Sequence, residues 1–249
     1  MFLIATCGIG IGVKDLVKHF LLAINKNDHM DQQDTLILQN FQEVLQADCL
    51  LPFCLFLFCS EENVWKLCDY VRKQRTAPLE HLFVIFISNE TRTVPLWKQK
   101  SGHGELPVIW DYHVILLQAD QSDSLVYDLD STLSFPCSLK LYAAQALRSE
   151  SDIRPEYHRK FRVVPADSFL LNFASDRSHM RNSDGSWKMP PPTYAPICTA
   201  ECQMNLDGFI NMDPAIGWGV VFSLNHFLQR YIGSTSSASS SSSSAARSW

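Results

Sequence analysis

Two residues, His113 and Asp128, have the types and spacing to form the base of a nucleophilic catalytic site. A carboxylate beside an imidazole fixes the tautomer of the ring and raises its basicity, and such a base activates a Ser or Cys nucleophile. One His and one Asp also meet by coincidence, for example as a core His bonded to an Asp at a strand end. Whether His113 and Asp128 form a catalytic base or a structural pair therefore depends on the secondary-structure elements in which they lie.

These elements have the pattern of a β-hairpin. Residues 110–117 and 125–130 are rich in β-branched and aromatic side chains, and the polar residues between them are turn formers. A turn centred between positions 120 and 121 sets His113 directly opposite Asp128, with Cβ atoms ~5 Å apart on one face. The other face is formed by Val114, Leu116, Leu125, Tyr127 and Leu129, so we expect the hairpin to be buried on both sides.

Other elements follow from periodicity and from turn residues. Ser60 is predicted to be the N-cap of a helix whose first turn carries Glu61 and Glu62, where acidic residues suit the helix dipole. Residues 175–200 form a long Pro-rich loop, and Gly217 and Gly219 flank Trp218 in a turn that brings the backbone close to another segment. The remaining predictions are strands at 82–88 and 160–164 and helices at 139–147 and 167–173.

Composition limits the functional classes. The 249 residues include 46% hydrophobic residues, and the net charge of -5 gives no reason to expect binding to nucleic acid. The eight cysteines form no CxxC pair, and Cys198 and Cys202 lack the further ligands of a zinc site, so we expect reduced thiols in a cytoplasmic and nuclear protein without metal. The longest apolar run, residues 49–59, covers about half a membrane span, so we expect no membrane insertion.

Several long motifs, in order along the chain, resemble the protein N-terminal glutamine amidohydrolase family. The similarity runs almost continuously from Glu61 to about Tyr231. It implies one α+β domain of the papain/transglutaminase-like kind, with a central antiparallel sheet and packed helices. The motifs are Glu61–Cys68, Val84–Glu90, Trp110–His113, Tyr127–Asp130, Arg159–Val163, Phe173–Met180, Met204–Leu206, Met212–Pro214 and Gly217–Gly219.

The resemblance also implies a Cys-His-Asp triad that converts an N-terminal Gln to Glu, with His113 and Asp128 as two of its members. The expected partners are proteins or peptides bearing N-terminal Gln, in the N-degron pathway, and the enzyme is expected to be a monomer without cofactor. An α-ammonium group needs a carboxylate. Asp111, Asp130 and Glu62 are candidates by proximity to the motifs, and a buried salt bridge is the alternative role for each.

The chain departs from the family at the nucleophile. The family has Cys immediately before the Glu-Glu-Asn of the helix, whereas this chain has Ser60 there. A hydroxyl is a weak nucleophile without strong activation. Cys59 is the alternative nucleophile, but it could serve only if the helix began one residue earlier or the turn rotated.

Three regions follow from these comparisons of composition and motif. Residues 58–232 are the predicted catalytic domain, residues 233–249 a Ser-rich disordered tail, and residues 1–57 an atypical segment without family motifs. Two alternatives to an active amidohydrolase remain open. One is a catalytically inactive isoform that binds N-terminal Gln or has no function, and the other is a papain-like cysteine protease or transglutaminase.

The run of Leu, Phe, Cys and Pro before Ser60 suggests an origin for the substitution. These residues have pyrimidine-rich codons, as in the tract before a splice acceptor. If a junction splits the Cys codon after its second base, reading through from the intron converts TGY to AGY, which is Ser. We therefore expect residues 1–60 to be largely intronic or wrongly joined sequence. Sequencing a transcript across codon 60 tests this, and an ordinary upstream coding exon without an acceptor there contradicts it.

Overall fold

The computed structural model describes residues 60–75, 77–119, 123–192 and 194–232. The atypical segment 1–57, the alternative nucleophile Cys59 and the Ser-rich tail lie outside the described residues, so the predictions for them stay predictions. Within the described ranges, no helix is both long enough and apolar enough to cross a membrane.

A six-stranded antiparallel sheet organises the domain, in the order β6-β5-β4-β1-β7-β8. A separate two-stranded sheet pairs β2 with β3. The strands are β1 (Leu82–Ser88), β2 (Val94–Leu96), β3 (Val108–Trp110), β4 (His113–Gln118), β5 (Leu125–Tyr127), β6 (Cys137–Ser138), β7 (Lys160–Pro165) and β8 (Val220–Ser223). The helices are α1 (Ser60–Gln74), α2 (Leu139–Tyr142), α3 (Ala166–Asn172), α4 (Leu206–Ile210) and α5 (Leu224–Ile232), with a π-helical turn at Ala143–Leu147 and short 3-10 turns at Leu79–His81, Pro155–Tyr157 and Ser178–Met180.

The central strand β1 explains why both faces of the sheet are covered. Its sequence is uncharged, and its side chains alternate between two cores. Val84 and Phe86 pack with α1, α3 and α4, on what we call the α1 face. Ile85 and Ile87 pack with α2 and α5, on the α5 face. Burial of each such side chain contributes about 1.5–3 kcal/mol to folding. The predicted α+β class with a central antiparallel sheet and packed helices is confirmed.

Helix α1 has an apolar stripe, with Val64, Cys68 and Val71 buried against the sheet. Ser60 is the first described residue of the helix, so its predicted N-cap role stays a prediction. The two acids of the first turn and Arg72 and Lys73 in the last turn both suit the helix dipole.

The predicted hairpin is present, but its register differs by two residues. Strands β4 and β5 pair Leu116 with Tyr127 and Gln118 with Leu125, so Asp128 lies diagonal to His113 instead of directly opposite. A shift by an even number of residues keeps each side chain on its original face, because the side-chain period of a strand is two. The expected burial of both faces is confirmed, since Val114 and Leu116 lie in one core and Ile115 and Leu117 in the other.

The charged connection at 92–106 contains a strand that its sequence did not reveal. Val94–Leu96 pairs antiparallel with Val108–Trp110 and is fully buried. Trp110 therefore ends β3, and the first strand of the hairpin begins only at His113. Short strands beside charged residues carry too little periodicity to be recognised alone.

Arg162 ties the last third of the domain to the sheet. It is fully buried on β7 and donates hydrogen bonds to the carbonyl oxygens of Asn211, Asp213 (2.9 Å) and Trp218 (2.8 Å). The close backbone approach predicted around Trp218 is also present. Gly219 has φ of +75°, and a Cβ there would lie 2.1 Å from the carbonyl oxygen of Val163.

Replacing Arg162 with Met should lower the free energy of unfolding by about 3 kcal/mol or more. The substitution leaves three carbonyl groups without their donor, and each buried unsatisfied acceptor costs about 1–3 kcal/mol. Urea unfolding followed by circular dichroism measures the change. Arg154→Met is the matched control, because Arg154 is exposed and pairs only at 3.9 Å with Glu156. Equal stability of the Arg162 variant and the control would contradict the role given to Arg162.

Candidate active site

His113 and Asp128 form a buried pair at one end of the central sheet. His113 begins β4, and Asp128 directly follows β5, so the antiparallel pairing brings them to the same end. Their side chains meet with His113 Nε2 2.9 Å from Asp128 Oδ1. His113 is 1% exposed and Asp128 5% exposed, which shields the interaction from water. Since Nε2 faces the carboxylate, Nδ1 is the ring nitrogen left for proton transfer.

The carboxylate of Asp128 is held by three further donors. Oδ1 also accepts from the backbone N–H of Asp130 at 2.9 Å. Oδ2 accepts from the Tyr142 hydroxyl at 2.8 Å and from Gln99 Nε2 at 3.2 Å. Trp110 stacks on the imidazole of His113 with ring centroids 5.3 Å apart, which restricts rotation of the ring. Both members of the pair are therefore fixed in orientation.

The electrostatics favour the charged form of each partner. Burial opposes protonation of His113, but the charge and hydrogen bond of Asp128, with weaker contributions from Asp130 and Glu61, raise the pKa of His113 above its ordinary value. Burial likewise opposes ionisation of Asp128, yet the adjacent imidazolium and the hydrogen bonds hold the pKa of Asp128 below its usual range. The pair is suited to an imidazolium stabilised by a carboxylate.

Asp130 completes a buried cluster with this pair. A ligand-type atom of each of His113, Asp128 and Asp130 lies within 4.8 Å of the others. Burial, reinforced by the charges of Asp128 and Glu61, raises the pKa of Asp130 to about 6, although His113 and Lys100 act in the opposite direction. Among the residues that the structure describes, these three form the group that could hold a cation. Asp128 already accepts four hydrogen bonds, however, so its geometry favours orientation of His113 over coordination of a metal.

The start of α1 lies beside this cluster. The helix packs against β4, and Glu61 is close enough for its charge to raise the pKa of both His113 and Asp130. Ser60, in the predicted nucleophile position, is the first helical residue and is half-buried. A group at a helix N-terminus experiences the positive end of the dipole, which stabilises a thiolate in particular.

Glu62 has the salt-bridge role that was the alternative to substrate binding. Its two oxygens accept from Arg177 Nε and Nη2, each at 2.8 Å, and both side chains are buried. Arg177 also donates to the carbonyl oxygens of Pro192 (3.2 Å) and Tyr194 (2.9 Å). The predicted long loop is therefore anchored on the first turn of α1.

Asp111 lies apart from the buried cluster. Its side chain is exposed, and its Oδ1 accepts from the backbone N–H of Tyr112 at 2.9 Å. Of the three carboxylates predicted for the α-ammonium, only Asp130 shares the cluster with His113. Substrate binding by any of them stays a prediction.

Two of the cysteines that the structure describes, Cys68 and Cys137, do not resemble nucleophiles. Burial raises the pKa of Cys68 well above its ordinary value and that of Cys137 to about 12, with Asp128 adding to the effect at Cys137. A buried thiol of raised pKa is inert. Cys198 is exposed and Cys202 half-buried, and both belong to the loop region after Pro192.

Sequence reasoning missed four contributors to the site: Gln99, Trp110 as a stacking partner, Tyr142 and Arg177. Tyr142 lay within a predicted helix, but nothing in its periodicity linked it to Asp128. Gln99 is in the connection whose strand was not recognised. Arg177 lay in a quoted family motif, and this was the one signal that could have drawn attention to it.

A buried His–Asp pair beside a helix start is the arrangement of hydrolases that use a side-chain nucleophile. The chain matches the family described as N-terminal glutamine amidase over residues 55–231. The match covers more than half of the chain, and the chain belongs to this family. The family resemblance predicted from the motifs is thus confirmed.

Similar proteins include three vertebrate relatives named protein N-terminal glutamine amidohydrolase. That of Danio rerio is 54% identical over 180 residues, which cover 72% of this chain and 89% of the relative. That of Bos taurus is 51% identical over 180 residues, covering 72% and 87%. That of Homo sapiens is 49% identical over 180 residues, covering 72% and 88%.

Replacing Asp128 with Asn should lower the pKa of His113. The substitution removes the negative charge that stabilises the imidazolium, whereas the burial that opposes protonation remains. Titration of the His113 imidazole by NMR measures the shift. Asp207→Asn serves as the matched control, because this carboxylate is exposed and pairs with Arg92 far from the cluster. An unchanged His113 titration in the Asp128 variant would refute the electrostatic coupling.

Proposed function

We propose that this protein deamidates the side chain of an N-terminal Gln on proteins or peptides, producing Glu and ammonia. The observation that carries the proposal is the buried His113–Asp128 pair beside the start of α1 in a member of this family. Fold alone would not justify it, because one fold hosts many reactions. The relatives named as amidohydrolases support the choice of reaction.

The chemistry begins with a nucleophile in the position of Ser60. A thiolate there, which the family Cys or the Ser60→Cys substitution supplies, attacks the side-chain amide carbon of Gln and forms a tetrahedral oxyanion, which backbone N–H groups at the helix start can stabilise. The imidazolium of His113 donates its Nδ1 proton to the leaving nitrogen, ammonia departs and a thioester remains. Water then attacks the thioester as Nδ1 takes one of its protons, and the C–S bond breaks. This releases Glu and restores the thiolate and the imidazolium. Asp128 holds the ring throughout.

Ser60 favours a second candidate function for the chain as written. A hydroxyl has a much higher pKa than a thiol and is a poorer nucleophile in the same setting. With the His–Asp pair and the loop anchor of Arg177 in place, such a chain could bind N-terminal Gln with little turnover. A protein with this low turnover is expected if reading through an exon junction converted the family Cys codon into the Ser codon at position 60.

The papain/transglutaminase-like fold belongs to the same proposal. Its support is a nucleophile position at a helix start, with the base at the beginning of one strand and its orienting acid directly after the neighbouring antiparallel strand. We further propose that the protein acts as a monomer in the cytoplasm and nucleus. It would generate N-terminal Glu for the N-degron pathway without binding membranes or nucleic acid.

Ammonia release from a Gln-initiated peptide should be at least about 10³-fold faster with Ser60→Cys than with the chain as written, because loss of a catalytic nucleophile costs rate on this scale or more. A coupled assay for ammonia measures both rates. The same peptide with its Gln moved to an internal position should release no ammonia with either protein.

Two further variants control this comparison. Adding Asp128→Asn to Ser60→Cys should remove most of the activity, since the base loses its orientation. If the chain as written is already active, Cys59→Ala and Ser60→Ala made separately identify the nucleophile. Absence of activity in a folded Ser60→Cys protein would contradict the proposed function, as would equal release from internal Gln.

A further inference from the structure

The neighbouring acids of the first turn of α1 have opposite surroundings. Glu61 and Glu62 are both 0% exposed. Glu62 is fully satisfied by its two hydrogen bonds from Arg177. Neither oxygen of Glu61 accepts a hydrogen bond from any residue that the structure describes. Burial of a carboxylate without hydrogen bonds is costly, and native proteins rarely keep such a group unless it has a function.

The only ion pair of Glu61 within the described ranges is a loose one. His179 Nε2 lies 3.4 Å from Oε1, and both nitrogens of His179 also lack hydrogen-bond partners. His179 is on the long loop that Arg177 anchors, immediately beyond the anchor. The carboxylate is therefore enclosed by the helix start and the loop, yet it is not satisfied by either.

Its position is next to the reacting centre. Glu61 directly follows the nucleophile position, and its charge acts on both His113 and Asp130. Asp128 is neutralised by His113, whereas Asp130 and Glu61 bring two further carboxylates to the same region. The buried region has more negative than positive charge close to His113, so it is complementary to a cation.

The substrate of the proposed function carries such a cation. An N-terminal Gln has an α-ammonium group, a short aliphatic chain away from the side-chain amide carbon that the nucleophile attacks. The charge of Glu61 acts on His113, the proposed proton donor, so a bound α-ammonium at Glu61 would lie in the same buried region as the reacting amide. An internal Gln has a neutral peptide nitrogen there and would leave Glu61 unsatisfied, which a buried site penalises strongly.

We propose that Glu61 binds the α-ammonium group of the substrate and thereby restricts the site to chain ends. The inference rests on the proposed function and deepens it. It assigns the role of terminus recognition to a carboxylate that was not among Asp111, Asp130 and Glu62. Asp130 would then mainly adjust the charge of the His113–Asp128 pair.

The test uses a Gln-initiated peptide and its N-acetylated counterpart, with binding to the full chain as written measured by isothermal titration calorimetry. The full chain should bind the free amine at least about 30-fold more tightly, since truncating one partner of a buried charge pair typically costs this much or more. In Glu61→Gln, the two peptides should bind within about 3-fold of each other. Glu201→Gln, an exposed and isosteric control with the same charge change, should keep the full discrimination.

Thermal unfolding of two adjacent isosteric variants separates recognition from a structural role. Glu61→Gln removes an unsatisfied buried charge, so its melting temperature should equal or exceed that of the unchanged protein. Glu62→Gln breaks the bidentate bridge to a buried Arg and should melt several degrees lower. Destabilisation of Glu61→Gln as large as that of Glu62→Gln would identify Glu61 as structural and overturn the proposal.

The remaining outcomes distinguish failure of the proposed role of Glu61 from failure of the proposed deamidation activity. If Glu61→Gln folds and keeps the preference for the free amine, the proposal for Glu61 is wrong, and Asp130→Asn tests the other carboxylate. If the Ser60→Cys protein releases no ammonia from the Gln-initiated peptide, the proposed function itself fails. If Ser60→Cys is active and its Glu61→Gln form loses selectivity for terminal over internal Gln, both are supported.

Discussion

Burial of ionised groups is the constraint on which the site depends. The central sheet removes His113 and Asp128 from water, so each needs the other to remain charged. The carboxylate accepts four hydrogen bonds, and Tyr142 and Gln99 come from segments outside the hairpin to supply two of them. The packing of α2 and of the connection before β3 is therefore tied to the geometry of the pair.

The same constraint explains why each buried arginine is hydrogen-bonded to carbonyl oxygens or to a carboxylate from another segment. Arg162 organises the turn around Trp218, and Arg159 binds carbonyl oxygens at Pro95 and Arg148 with Glu150 as its counter-ion. Arg177 anchors the long loop on Glu62 at the start of α1. Since every one of these charges is satisfied, they rigidify the elements around the sheet. Glu61 stands out against them, because its carboxylate is equally buried and accepts no hydrogen bond from the described residues.

The replacement at position 60 shows that a scaffold and its reactivity are separable. The helix start, the oriented imidazole and the loop anchor are all present with Ser in the nucleophile position. None of the hydrogen bonds that define these features involves the side chain of Ser60, so we expect a change from sulfur to oxygen to leave them intact. Under the proposed mechanism only the acidity of the attacking group differs, and we expect that difference to decide between turnover and binding.

The sequence by itself determined the family, the antiparallel hairpin and the identity of its His and Asp, because long motifs and period-two alternation are local signals. It also located β1 correctly. Only the tertiary structure decided the two-residue register, the strand at 94–96 and the donors that hold Asp128, since these join segments distant in sequence. The difference in hydrogen bonding between Glu61 and Glu62 is also decided by the tertiary structure. Adjacent identical residues in one helical turn point in different directions, and only the packed loop shows which of them is satisfied.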